Sequence, residues 1–174
     1  MNEQDKSYIE QILNTWERPQ RKSALKMIKK YSYPQEATIS RLIWYNNGRW
    51  KRTIVHRDAV PHHFPTTHPD FLEQVIDYKT PINKFDDIAK FDGSTYPDRT
   101  KGEVSAVCDK EEFNTLNINL LHEISTGKRT VEEARRFATE TIYNYLHRKI
   151  SSPYLEAFIF PPQHHTADPD VQIF

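Results

Sequence analysis

Two runs rich in β-branched and aromatic residues, Arg41 to Tyr45 and Arg49 to Arg57, flank the triplet Asn46, Asn47 and Gly48. Asparagine and glycine tolerate the positive φ that a tight reversal needs, and the flanking side chains suit a half-buried pleated surface. The segment 39–57 therefore predicts a β-hairpin. A three-residue loop would set Trp44 opposite Trp50, and a two-residue Asn47–Gly48 turn would set Tyr45 there.

Two helices are expected before this hairpin. Ser7 and Glu10 have capping-box spacing, and Ile9, Ile12, Leu13 and Trp16 make one apolar stripe behind them. Pro19 fits the first turn of a second helix, with Ala24, Leu25, Ile28 and Tyr31 facing inward and Pro34 ending it. After the hairpin, a stretch with three histidines and three prolines runs from Val60 to Pro69. Phe71, Leu72, Val75 and Ile76 then have helical spacing, as do Phe85, Ile88, Ala89 and Phe91. A second hairpin is expected over 94–108, turning at Thr100, Lys101 and Gly102. Pro97 cannot donate to a ladder, which puts its strand at a sheet edge. Asp109 and Glu112 read as the cap of a helix whose stripe is Phe113, Leu116, Leu120, Leu121 and Ile124, closed at Gly127. Thr130 and Glu133 form a capping box for a helix running to about Arg148, antiparallel to the one before it. Tyr154 to Phe160 would add a short strand.

The pattern predicts an α+β fold in the order αα-ββ-αα-ββ-αα. A small antiparallel sheet of about four strands, in two hairpins, would be packed by five to six helices. Residues 1–160 would form a single domain, and 161–174 a C-terminal tail containing Pro and His. The mean hydropathy of −0.79 is low. Three Trp, nine Tyr and nine Phe nonetheless supply enough large side chains for an aromatic-rich core. No apolar run is long enough for a membrane span, and one cysteine, Cys108, suits a reducing compartment, so a cytoplasmic protein is expected. An ordered tail would be held by its own body or by a second copy of the chain, which points to a homo-oligomer.

Charge is unevenly spread. Residues 1–57 carry 12 Lys and Arg against 5 Asp and Glu, a balance of +7, and the remainder carries −7. The basic third would either pack on the acidic remainder or meet an acidic protein partner. Basic residues alternating with aromatics on the first hairpin, Trp44 and Trp50 among them, are also how single-stranded nucleic acid is held. No nucleic-acid-binding motif accompanies them, so that class ranks last.

The motifs that are missing narrow the chemistry most. Gly48, Gly93, Gly102 and Gly127 are the only glycines, and no two lie close enough to build a phosphate-cradling loop. Nucleotide and dinucleotide motifs are therefore absent, as is the Gly-x-Ser-x-Gly elbow of serine hydrolases. His122 and Glu123 are adjacent, but position 126 is Thr, so no zinc-protease motif is present. Histidine is the residue type left with chemistry to do. His62, His63 and His68 share a loop stiffened by Pro61, Pro65 and Pro69, and these three are the candidate ligands for a divalent metal. His68, His122 and Glu103 are the candidate catalytic groups. Ser105 shares a strand face with Glu103, and Asn119 shares a helix face with His122.

The leading expectation is a protein that binds or processes a small molecule in a polar pocket lined by histidines and carboxylates. Acid–base or metal-assisted chemistry would serve it. The alternative is a non-enzymatic interaction module using the basic, aromatic first third. No motif decides between an enzyme and a binding protein.

Overall fold

The computed structural model describes residues 3–168 and 170–174. Six strands form one antiparallel sheet in the order β1-β2-β3-β4-β6-β5. They are β1 (Glu36–Ala37), β2 (Arg41–Asn47), β3 (Trp50–His62), β4 (His68–Asp77), β5 (Thr95–Asp98) and β6 (Glu103–Cys108). Six helices accompany them: α1 (Glu3–Asn14), α2 (Arg18–Tyr31), α3 (Phe85–Phe91), α4 (Glu111–Ser125), α5 (Val131–Tyr143) and α6 (Pro153–Glu156).

The α+β class stands, and both expected hairpins form. β5, which carries Pro97, lies at the sheet edge. The strand number and element order are corrected. The segment from Phe71 to Ile76 is not a helix but the middle of β4, paired with β3 on one side and β6 on the other. Its apolar residues sit in adjacent pairs because both faces of this strand are covered, so strict alternation is lost. β1 is a further short strand. The first turn also differs: Asn47 pairs with Trp50 and Tyr45 with Arg52, so the turn is Gly48–Arg49, with Asn46 and Gly48 both at positive φ. Neither Trp44 nor Tyr45 stands opposite Trp50.

Helix ends show the same mixture. Thr130 and Glu133 close a reciprocal capping box at the start of α5, and Pro19 sits in the first turn of α2. α1 already runs from Glu3, so Ser7 lies within it rather than capping it. α4 begins at Glu111, and Asp109 does not cap it. The last α5 turns give way to a π-helical turn at Asn144–Arg148, and the expected strand after Pro153 is the short helix α6.

α4 is the centre of the molecule. Thirteen of its 15 residues are buried, polar ones included. Leu116, Ile118, Leu120 and Leu121 pack against Val104, Ala106 and Cys108 of β6 and against Ala134 and Ala138 of α5. A second cluster joins α1 and α2 to Leu42, Trp44, Val55 and Leu72 at the other end of the sheet. Register puts Trp44, Thr53, Gln74 and Ala106 on one line across the helix-bearing face. The opposite face carries ion pairs, with Glu103 held by Arg52 and Lys51, and Glu73 by His56. In the first third, Lys26 and Lys30 of α2 pair with Glu112 and Glu111 of α4.

The chain beyond α6 lies across the end of the sheet. Arg49 donates to the carbonyl oxygens of Phe160 and Pro161 and stacks on the rings of Phe158 and Phe160. Gln163 accepts from the Lys79 backbone N–H, and Thr166 crosses Gly102. A Cβ on Gly102 would stand 2.1 Å from the Thr166 carbonyl carbon, and Gly102 has φ of +63°. Gly102→Ala should therefore destabilise the protein by about 1–3 kcal/mol and lift the tail. Limited proteolysis will show new cleavage near residue 166 in this variant. Gly48→Ala, with similar φ but open space around it, should leave the tail protected.

Candidate functional site

The β3–β4 ladder is interrupted once. Residues 56–59 of β3 span the stretch that Phe71 alone spans on β4, a bulge that re-aims the hairpin beyond it. Past the bulge Val60 pairs with Asp70, Pro61 with Pro69 and His62 with His68. Residues two apart on a strand share a face, so His62, His68 and Asp70 look the same way, toward the helix-bearing side. Neither proline can donate, and their pairing costs the ladder no hydrogen bond because it falls at a non-hydrogen-bonded position.

Three elements close around this face. Ser94, just before β5, donates its hydroxyl to Asp70 Oδ2 at 2.5 Å. Asp92, at the end of α3, accepts from the Ser94 backbone N–H at 2.7 Å and from the Asn117 amide of α4 at 3.2 Å. Cys108 ends β6, opposite Leu72. His62 Nδ1 and His68 Nε2 each stand 3.2 Å from a different oxygen of Asp70. His68 Nδ1 donates to the Thr66 carbonyl at 2.7 Å.

A cleft of about 260 Å³ opens beside the cluster. Phe64, Phe113, Ile142 and Leu146 supply its apolar wall. His68, Asp92, Cys108 and Asn117 supply polar groups, and Lys110 flanks them. Arg135 stacks on Phe64 with its guanidinium carbon 3.7 Å from the ring centroid and donates to the Phe91 carbonyl, which ties the loop to α3 and α5.

Electrostatics sharpen the picture. Burial opposes a charge on His68, but Asp70 outweighs it, with Cys108 and the Thr66 carbonyl, and raises the ring to about 11. Burial pushes the Cys108 thiol up, so it stays protonated and uncharged at neutral pH. That leaves Asp70 as the charge partner that matters to His68. Burial also pushes the Asp92 carboxyl up, with the Ser94 N–H acting against it.

The candidates named from sequence fall in four places. His62 and His68 come together, joined by Asp70, which was not singled out. His63 does not join them; its ring lies against Thr67 Oγ1 at 3.3 Å on the exposed side. Glu103 sits on the opposite sheet face, where burial raises its carboxyl but Arg52 and Lys51 prevail and hold it below the usual carboxylate range. Ser105 shares that face. His122 stacks on Phe160 at 4.3 Å between centroids and meets the Tyr78 hydroxyl, and burial lowers its ring. Asn119 holds the carbonyls of Tyr154 and Ala157. His68, His122 and Glu103 therefore do not form one site. The rings of Trp44 and Trp50 are buried.

Asp70, Asp92, Ser94 and Asn117 escaped the sequence. For Asp70 a signal existed: His68, Asp70 and Leu72 have the period of a strand. Asp92, Ser94 and Asn117 arrive through tertiary packing alone. No family model, curated protein or solved structure matches this chain, so the chemistry of the site is the guide to its role.

Asn117→Leu leaves Asp92 Oδ2 without its donor in a buried position. This variant should lose about 1–3 kcal/mol, read as a lower urea midpoint at unchanged slope.

Proposed function

We propose that the protein binds and processes a small molecule in the cleft beside His68, with the His62–His68–Asp70 cluster as its reactive end. The observation that carries this reading is a coincidence in one place. An apolar-walled cleft meets three buried polar atoms, His62 Nδ1, His68 Nε2 and Asp70 Oδ1, that make no well-aligned hydrogen bond although each nitrogen stands 3.2 Å from an Asp70 oxygen. Convergent polar groups in a largely apolar concavity are the usual character of a ligand site. The volume lies just below the range of about 300–1,000 Å³ common for such pockets, which favours a compact ligand. The wall suits an apolar body. Lys110, paired with Asp109 at the same rim, and the Asn117 amide, which donates to Asp92, suit a hydrogen-bonding head.

Benzoate and benzyl alcohol are suitable probes because they share a body and differ in the head. Titration of either into the protein, followed by methyl and imidazole NMR, should give saturable shifts at Ile142, Leu146 and His68. Leu146→Trp, which fills the cleft, should abolish the shifts while leaving the unfolding midpoint within a few degrees. Absence of saturable shifts in the cleft with both probes, or binding that survives Leu146→Trp, would remove the proposal.

A further inference from the structure

We propose that His62 Nδ1, His68 Nε2 and the Asp70 carboxylate form a three-ligand site for a divalent first-row transition metal, open to the cleft on its remaining side. This deepens the proposed role of the cleft and rests on it only for what the metal acts upon.

Among the described residues this is the group of His, Cys, Asp and Glu side chains whose donor atoms converge, all within 4.8 Å of one another. Zinc bonds of about 2.0–2.2 Å in a tetrahedron place neighbouring ligand atoms about 3.3–3.5 Å apart. His68 Nε2 stands 3.2 Å from Asp70 Oδ1, close to that edge, and His62 Nδ1 stands 3.2 Å from the other oxygen, Oδ2. The paired strands supply both histidines, and Pro61 facing Pro69 restricts the backbone between them, so the donors are held in place before any ion arrives.

Hydrogen bonding gives the second, independent argument. A carbonyl only accepts, so the Thr66 contact places a proton on His68 Nδ1 and leaves Nε2 to face Asp70. With His68 neutral, its Nε2 lone pair would point at a carboxylate oxygen. All three ligand atoms are buried and lack a hydrogen bond although they lie within reach of one another. Asp70 itself is only 5% exposed. Buried polar atoms left this way are unfavourable unless something occupies the point they share. A cation satisfies all three at once.

The surroundings resemble those of ligating residues elsewhere. His68 donates its other nitrogen to a backbone carbonyl, and Ser94 fixes the second oxygen of Asp70, the outer contacts that orient ligands and raise their basicity. Two imidazoles and one carboxylate suit zinc or ferrous iron, and three protein ligands with an open position are the arrangement of reactive rather than structural sites. His68 and Asp92 both border the cleft, so a molecule seated there reaches the open side. A metal at this point would act as a Lewis acid on it.

The test uses the full chain, freed of any affinity tag and stripped with chelator. Zinc is titrated while long-range nitrogen–proton NMR spectra follow the eight histidine rings. One equivalent should bind, moving Nδ1 of His62 and Nε2 of His68 and no other ring nitrogen. Competition with a chromophoric chelator then ranks variants shown to be folded by circular dichroism. His62→Ala and Asp70→Asn should weaken zinc by about 100-fold or more, Ser94→Ala by about 10-fold, and His63→Ala not at all. Substitution of cobalt should give the absorption of a four- or five-coordinate ion. Lack of stoichiometric binding to the unaltered protein, or shifts centred on His122, His147 or the tail histidines, would overturn the proposal. So would equal losses in His62→Ala and His63→Ala. Probe binding to the stripped protein that zinc does not alter would also count against the metal while sparing the cleft. Zinc binding without any probe binding would do the reverse.

Discussion

Three buried asparagines on α4 hold the molecule together, and each stitches a different element to it. Asn114 donates to the Leu72 carbonyl and to the Gln74 side chain, which in turn donates to Thr53. Asn117 donates to Asp92 behind α3. Asn119 gathers the Tyr154 and Ala157 carbonyls and accepts from the Ile159 N–H. An apolar helix face could slide or rotate on a sheet at small cost. A buried amide cannot, because any shift strands its donors and acceptors in a medium that exacts about 1–3 kcal/mol for each. The register of α4 on β4 is thus set by directional bonds, and the cleft inherits its shape from that register.

The same logic runs to the far end of α4. Glu123 is fully buried and accepts from Lys128, Arg129 and Tyr154. Burial acting alone would raise this carboxyl, but the three donors hold it below its ordinary range. Its folded-state pKa is depressed, so the stability it confers is present at neutral pH and is lost as pH falls through that depressed value. At the other end Glu111 accepts from Lys30, Tyr31 and Trp50, joining α2 and the first hairpin to the helix. Some of the opposite charge in the two parts of the chain is therefore satisfied internally, at the contact between α2 and α4.

Local chemistry made much of the fold legible. Asn46 to Gly48 announced the first hairpin, Pro97 announced an edge strand, and Thr130 with Glu133 announced a helix start. What failed was the periodicity of β4. Phe71, Leu72, Val75 and Ile76 repeat as a helix would, because long side chains such as Arg52 and Glu73 cover the outer face and remove the polar alternation. That single misassignment also hid the site. With Phe71 to Ile76 read as a helix, His68 belonged to the loop before it, and nothing placed His68 opposite His62 or Asp70 on the same face. The loop histidines were visible as a group, but which of them share a face depended on a ladder whose bulge has no sequence signature. Asp92 and Asn117 lie 25 positions apart and meet only because α3 and α4 pack together.

The arm beyond the bulge has a property unconnected with ligands. β2 stops pairing with β3 at His56, and β6 stops pairing with β4 at Leu72, so neither pairs with the two strand segments between residues 60 and 70. Open flanks ordinarily invite a strand from another molecule, the first step of edge-to-edge aggregation. At the pair Pro61–Pro69 the backbone nitrogens would point outward, one toward each flank, and neither carries a hydrogen. The two prolines therefore blunt both edges of the arm at the same level, where neither can template polymerisation.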